Sequence, residues 1–136
     1  MVLRMKNLLV LLALTGFFAC SSPQESADCI ETDYGIDFTA EAENIYCFSD
    51  DLMIEIVSLE NALCPCNVLC DWDGEIIVHM NIIRGDQIKE YDYHSVLQDA
   101  NVPIDLALSF KGYELVSDCT DDNPSTEVAH VILRVG

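Results

Sequence analysis

Seven cysteines, three histidines and 24 Asp and Glu residues are the side chains of this 136-residue sequence with chemistry to offer. Cys64, Cys66 and Cys70 fall close together, and thiolates joined by an imidazole from His79, His94 or His130 are the ligands that zinc or copper(I) takes. The spacing is not that of a zinc site, and in an oxidising compartment the same cysteines would be bridges instead. Asp71, Asp73 and Glu75 alternate around Gly74 as the oxygens of a calcium loop begin, yet Ile82 stands where the closing glutamate of an EF-hand belongs. A second acidic turn, Asp118 with Asp121 and Asp122, would complete a weak calcium site only if the fold brought both turns together. No cofactor is expected beyond that calcium alternative. Catalysis has little support, because there is no Gly-x-Ser-x-Gly, no phosphate loop and no histidine beside an evident nucleophile. Paired carboxylates could serve as general acid and base, but with 24 acids any one pair reads first as surface charge. The expectation is a protein that is not an enzyme.

Six Lys and Arg against those 24 acids give a formal charge of −18 and a pI near 4.1. Phosphate binding needs clustered cations to displace counterions, so nucleic acid is excluded as a partner and the body has no attraction for an anionic membrane. The length is that of one domain. Residues 1–19 differ in kind: Arg4 and Lys6 precede an apolar run from Leu8 to Ala19, broken only by Thr15 and Gly16. That is a secretory signal, too short for a comfortable membrane span. Phe17-Phe18-Ala19-Cys20 before Ser21-Ser22-Pro23 resembles the lipobox of bacterial lipoproteins, although small or aliphatic residues are usual where Phe17 and Phe18 stand. The resemblance implies that Cys20 becomes the acylated, palmitate-bearing first residue of the mature chain. Each buried acyl methylene would supply about 0.8 kcal/mol of membrane affinity. Ser21 does not resemble the inner-membrane retention signal known in some bacteria, so the expected location is the bacterial cell envelope, lipid-anchored in the outer membrane. Losing residues 1–19 removes two cations and no acids, which leaves a body at −20. Residues 20–35, with Ser, Pro, Gln and Glu in Ser21–Ser26 and no periodicity, read as a tether.

From residue 36 to 136 the pattern has a period near two, with β-branched and aromatic residues between turn signals. The clearest strand is 75–84: Ile76, Val78, Met80 and Ile82 share one face, and Glu75, His79 and Asn81 the other. The last, 127–135, sets Ala129, Val131, Leu133 and Val135 against His130, Ile132 and Arg134. Weaker candidates are 44–49 and 52–60, joined by Ser49-Asp50-Asp51, and then 87–93, 104–110 and 112–118. A turn of helix around His94 to Ala100 is the only helical candidate. Seven short strands favour an all-β fold, an antiparallel two-sheet sandwich, over a barrel. Cys70, Trp72 and Gly74 share the parity of Ile76, so Trp72 is expected in the core as a structural anchor unless Gly74 marks a bulge.

The segment Cys64-Pro65-Cys66-Asn67-Val68-Leu69-Cys70-Asp71-Trp72-Asp73-Gly74 resembles that of small uncharacterised lipoproteins of Bacteroidetes-type bacteria, which carry Cys-Pro-x-x-Val-x-Cys-x-Trp-x-Gly between two strands. Cys64, Pro65, Val68, Cys70, Trp72 and Gly74 match in register, and Gly112-Tyr113 recurs in a later strand. The resemblance, over roughly residues 44–136, implies an Ig-like sandwich with a Cys64–Cys70 bridge, the pair that proximity also favours. It implies no particular activity. Cys66 is an extra cysteine inside the motif, and Cys119 stands where a Pro-rich turn is expected.

Apart from Cys20, the six cysteines can pair in 15 ways. In an Ig-like sandwich the connections after the second and sixth strands lie at the same end, which would make Cys66 and Cys119 neighbours and leave Cys29 for Cys47. The function expected is that of a lipid-anchored, disulfide-stapled binding or structural module with a strongly acidic surface. It would touch the membrane through its lipid alone and favour a cationic protein, a cationic peptide or a divalent ion. The alternatives are an envelope hydrolase using paired carboxylates and a weak calcium-binding domain.

Overall fold

Alternation along two long apolar stretches builds the central feature of the structure, a hairpin of β4 (Leu52–Leu63) and β5 (Gly74–Arg84) paired residue by residue from Leu52↔Arg84 to Leu63↔Gly74. A computed structural model describes residues 28–97, 103–117, 120 and 127–136. Residues 1–19, Cys20, Asp118, Cys119, Asp121 and Asp122 lie outside the described residues. β3 (Ile45–Cys47) flanks β4 and β6 (Gln87–His94) flanks β5, both antiparallel, and β1 (Cys29–Glu31) adds to β3 in parallel. The order of this five-stranded sheet is β1-β3-β4-β5-β6. The second sheet, β2-β8-β7, is made of β2 (Asp37–Ala40), β8 (Val128–Val135) and β7 (Leu108–Leu115).

The two sheets enclose a core with no buried polar or charged residue among those described. Ile54 and Ile56 from β4, Ile76, Val78 and Met80 from β5, and Val131, Leu133 and Val135 from β8 are all buried there, as the period of two dictates. Phe38 from β2 packs at a tilt against Tyr46 from β3 with ring centroids 5.0 Å apart. Two buried tyrosines, Tyr46 and Tyr93, carry hydroxyls into the core. Both hydroxyls cross between the sheets: Tyr46 Oη accepts from the Glu41 amide at 2.9 Å, and Tyr93 Oη from the Phe110 amide at 3.1 Å. Each satisfies a backbone donor that the second sheet leaves over.

The all-β, two-sheet architecture with Cys29–Cys47 and Cys64–Cys70 bridges is as expected, and the differences have local causes. Eight strands are described instead of seven. β1 lies inside the stretch read as tether, because three exposed residues carry no alternation; a parallel ladder and the Cys29–Cys47 bridge hold it. The expected strands 104–110 and 112–118 are one strand, β7. Pro103 to Leu106 forms a 3-10 turn instead, and a bulge between Phe110 and Gly112 shifts the phase of β7 without ending it. A second irregularity opposite Leu115 turns Val128 inward in place of Ala129. Residues Ser95–Leu97 form a turn. The strand order also departs from the Ig arrangement, since β3-β4-β5-β6 is a meander of consecutive strands.

Trp72 is not in the core: it is 60% exposed. Parity does not carry back from β5 into the loop, because Gly74 stands at φ +81° and the chain turns there. A Cβ on Gly74 would lie 2.2 Å from the Ala62 carbonyl oxygen and 2.5 Å from Leu63 Cα, so only glycine fits on both conformational and steric grounds. Its neighbours close the turn with a bond from the Cys64 amide to the Asp73 carbonyl, 2.9 Å.

Two predictions follow from this framework. Tyr46→Phe removes the partner of the part-buried Glu41 amide, and urea unfolding is expected to show a loss of about 1 kcal/mol. Gly74→Ala combines backbone strain with overlap against β4, and the loss expected by the same measurement is on the order of 3 kcal/mol.

Candidate functional site

The outward face of β4, β5 and β6 carries the densest set of polar side chains described. Inward Ile76, Val78, Met80 and Ile82 force the alternate residues of β5 outward, which is why His79 and Asn81 sit at the centre of this face. Register then places Glu55 opposite Asn81 on β4, and Asp92 and Glu90 opposite His79 and Asn81 on β6. Carboxylates on neighbouring strands would repel if they faced one another directly. Here the middle strand keeps them apart with one imidazole and one amide.

His79 binds on both sides. Its Nδ1 is 2.7 Å from Asp92 Oδ1, and its Nε2 is 3.2 Å from Glu60 Oε2. The hydrogen bond to Asp92 raises the imidazole pKa above its ordinary value, with the Glu60 bond and both negative charges adding to it against a smaller effect of burial. Asn81 Nδ2 donates to Glu55 Oε2 at 2.8 Å. An open cleft of about 400 Å³ runs past Val57, Ser58, His79, Asn81, Glu90 and Asp92. Its β4 wall is shaped by the irregularity between Ile56 and Ser58, which leaves Val57 half exposed.

The residues singled out from the sequence are dispersed by the fold. Cys64 and Cys70 are bridged to each other, and Cys66 is also disulfide-bonded, so the three offer no thiolate set for zinc or copper(I). Each histidine meets a different carboxylate: His79 as above, His94 Nδ1 at 3.1 Å from Glu75 Oε1, and His130 Nε2 at 3.5 Å from Glu114 Oε2. The His94 contact lies off the line of a hydrogen bond, and that nitrogen has no hydrogen-bond partner. Glu75 therefore turns to His94 while Asp71 and Asp73 stay exposed. Among the described residues no group of three or more His, Cys, Asp or Glu is placed to hold a metal ion.

No family model, curated protein or solved structure matches the chain. Chemistry must therefore be read from the face itself. One imidazole holds two carboxylates, Glu60 and Asp92, and a second polar group, Asn81, holds Glu55. The arrangement concentrates negative charge on an open sheet surface while keeping it ordered. His79 and Asn81 could be placed outward from the sequence alone; Glu55, Glu60, Glu90 and Asp92 could not be joined to them, since that needs the register of three strands.

Because the folded-state pKa of His79 is raised, its bonds stabilise the fold fully below the unfolded-state value of about 6.5, and the contribution is lost as pH rises through the higher folded value. Thermal melts of the native protein and His79→Gln are expected to differ most below about pH 6.5 and to converge as pH rises above it. A gap that widens with pH would contradict the assignment.

Proposed function

We propose that the chain is a lipoprotein of the bacterial cell envelope, anchored in the outer membrane through acylated Cys20, whose folded body is a non-catalytic binding module for a cationic protein or peptide. The observation that supports it is the open β4-β5-β6 face, where Glu55, Glu60, Glu90 and Asp92 gather on one surface around His79 and Asn81. A body at −20 steers cations toward itself, and an ordered cluster of carboxylates along an open cleft complements a basic side chain or peptide. The cations of the body do little to offset this. Arg84 is paired with Asp105 and Arg134 with Asp37, both at 2.7 Å.

The same geometry disfavours acid-base catalysis at this face. Glu60 and Asp92 are both engaged by His79, so neither stands free opposite the other as an acid and base pair would require. Of the described residues, no helix is long and apolar enough to cross a membrane.

A lysine-rich peptide is the simplest probe. Its affinity is expected to fall severalfold as sodium chloride rises from about 50 to about 300 mM, in step with screening. Glu55→Gln combined with Glu90→Gln should weaken binding at low salt without changing the melting temperature appreciably. Binding indifferent to salt, or to the double substitution, would count against the reading.

A further inference from the structure

The loop between β4 and β5 presents apolar side chains to water at the tip of the longest hairpin. Leu69 is fully exposed, Trp72 is 60% exposed and Val68 is 54% exposed. Burying them elsewhere is not left to chance motion of the loop, because the Cys64–Cys70 bridge closes it, Cys66 is tied by a second bridge, and the Gly74 turn fixes its exit. Val96 and Leu97 are exposed beside it: the Ser95 amide bonds to the Ile76 carbonyl, which sets the turn after β6 level with the start of β5. Five large apolar side chains thus crowd one end of the five-stranded sheet.

The direction of the chain ahead of β1 says what that end faces. β1 runs parallel to β3, and Cys29 is level with Ile45, which is level with Glu55 of β4. Cys29 therefore stands at the end of β1 that faces the later residues of β4, which is the side of the hairpin tip. From the level of Glu55 to Leu63 the hairpin extends about 25 Å, at roughly 3.3 Å per residue. From Cys29 back to Cys20 the chain has a reach of about 30 Å when extended. Cys20 and the apolar tip can then reach the same plane.

We propose that the bridged loop is a second membrane contact, in which Leu69, Trp72 and Val68 enter the headgroup region of the bilayer that holds the acyl chains of Cys20. The inference rests on the anchoring of Cys20 proposed above. An amphipathic indole favours that region, and a few apolar side chains add to the affinity of an acyl anchor. Asp71 and Asp73, both exposed beside Trp72, limit the contact to shallow insertion and to a zwitterionic surface. The effect would be to hold the acidic β4-β5-β6 face at a set angle to the membrane, where the lipid alone would leave it swinging.

Trp72 is the single tryptophan of the chain, so its emission reports on this loop alone. The full-length protein, processed in a bacterial host and purified, would be reconstituted in vesicles of phosphatidylcholine and phosphatidylethanolamine. A blue shift with a severalfold drop in acrylamide quenching is expected, and Leu69→Asp should abolish both while the far-ultraviolet dichroism and vesicle flotation are unchanged. Flotation with unshifted, fully quenched Trp72 overturns the loop contact and leaves the anchor standing. If mass spectrometry finds no acyl group on Cys20 and the protein does not float, the anchor reading fails. A Cys20→Ser form with a hexahistidine tag ahead of residue 20, held on nickel-chelating lipid in the same vesicles, then decides the loop by the same shift or its absence. Trp72 already shielded before vesicles are added, in a protein that sediments as a dimer, would show that a second copy covers the loop and would overturn the proposal.

Discussion

The period of two along β5 sets Ile76, Val78, Met80 and Ile82 beneath the second sheet and, in the same stroke, His79 and Asn81 outside it. A slip of one residue would send all four apolar side chains to water and both polar ones into the core, at several kcal/mol for each large side chain exposed. The ladder to β4 and the ladder to β6 are built on that register, and so is the spacing of the carboxylates on the outer face. The acidic surface is in this sense a by-product of the core: wherever the inner face demands an isoleucine, the outer face receives the neighbour. The tyrosine hydroxyls of Tyr46 and Tyr93 then fix how the second sheet sits against the first, since each binds an amide from the opposite layer.

What was legible in the sequence follows from how strongly each stretch alternates. β5 alternates along its whole length, and it, β6 and β8 were placed within a residue or two, as was the turn Ser49-Asp50-Asp51 before β4. β1 was missed because three exposed residues contain no pattern, and its stability comes from a bridge and a parallel neighbour far along the chain. The position of Trp72 was misread because parity was carried through a glycine whose positive φ turns the backbone. The split of β7 into two strands mistook a bulge for a break. Each miss is a place where one residue changes the phase, and a phase change leaves the composition of a window almost untouched. The outer-face cluster was half legible for a related reason: the faces of a strand can be read from one segment, whereas partners across strands need the register.

Charge is partitioned without exception among the described residues, with none buried. A body carrying so many acids repels itself, and the unfolded chain relieves that repulsion by expanding. Two features oppose this. The Cys29–Cys47 bridge spans 18 residues and, in the chain-entropy picture, disfavours the unfolded state by about 3 kcal/mol. The cross-strand bonds of His79 to Asp92 and Glu60, which favour its charged form, soften the repulsion locally on the outer face. The pKa of Tyr34, which is pushed up to about 12 by burial first and then by its hydrogen bond to Asp50, belongs to the same pattern of polar groups closing the edges of an apolar body.

The bridge from Cys29 to Cys47 also decides how the body answers a pull on the chain ahead of it. A three-residue strand held only by its ladder would peel from β3 one hydrogen bond at a time, and tension would travel on toward β2. The covalent link short-circuits that route: force arriving at Cys29 crosses directly into β3, and from there is shared as shear along the antiparallel pairing with β4. A load applied at Cys29 would thus bypass the weakest strand of the sheet and enter through its covalent neighbour.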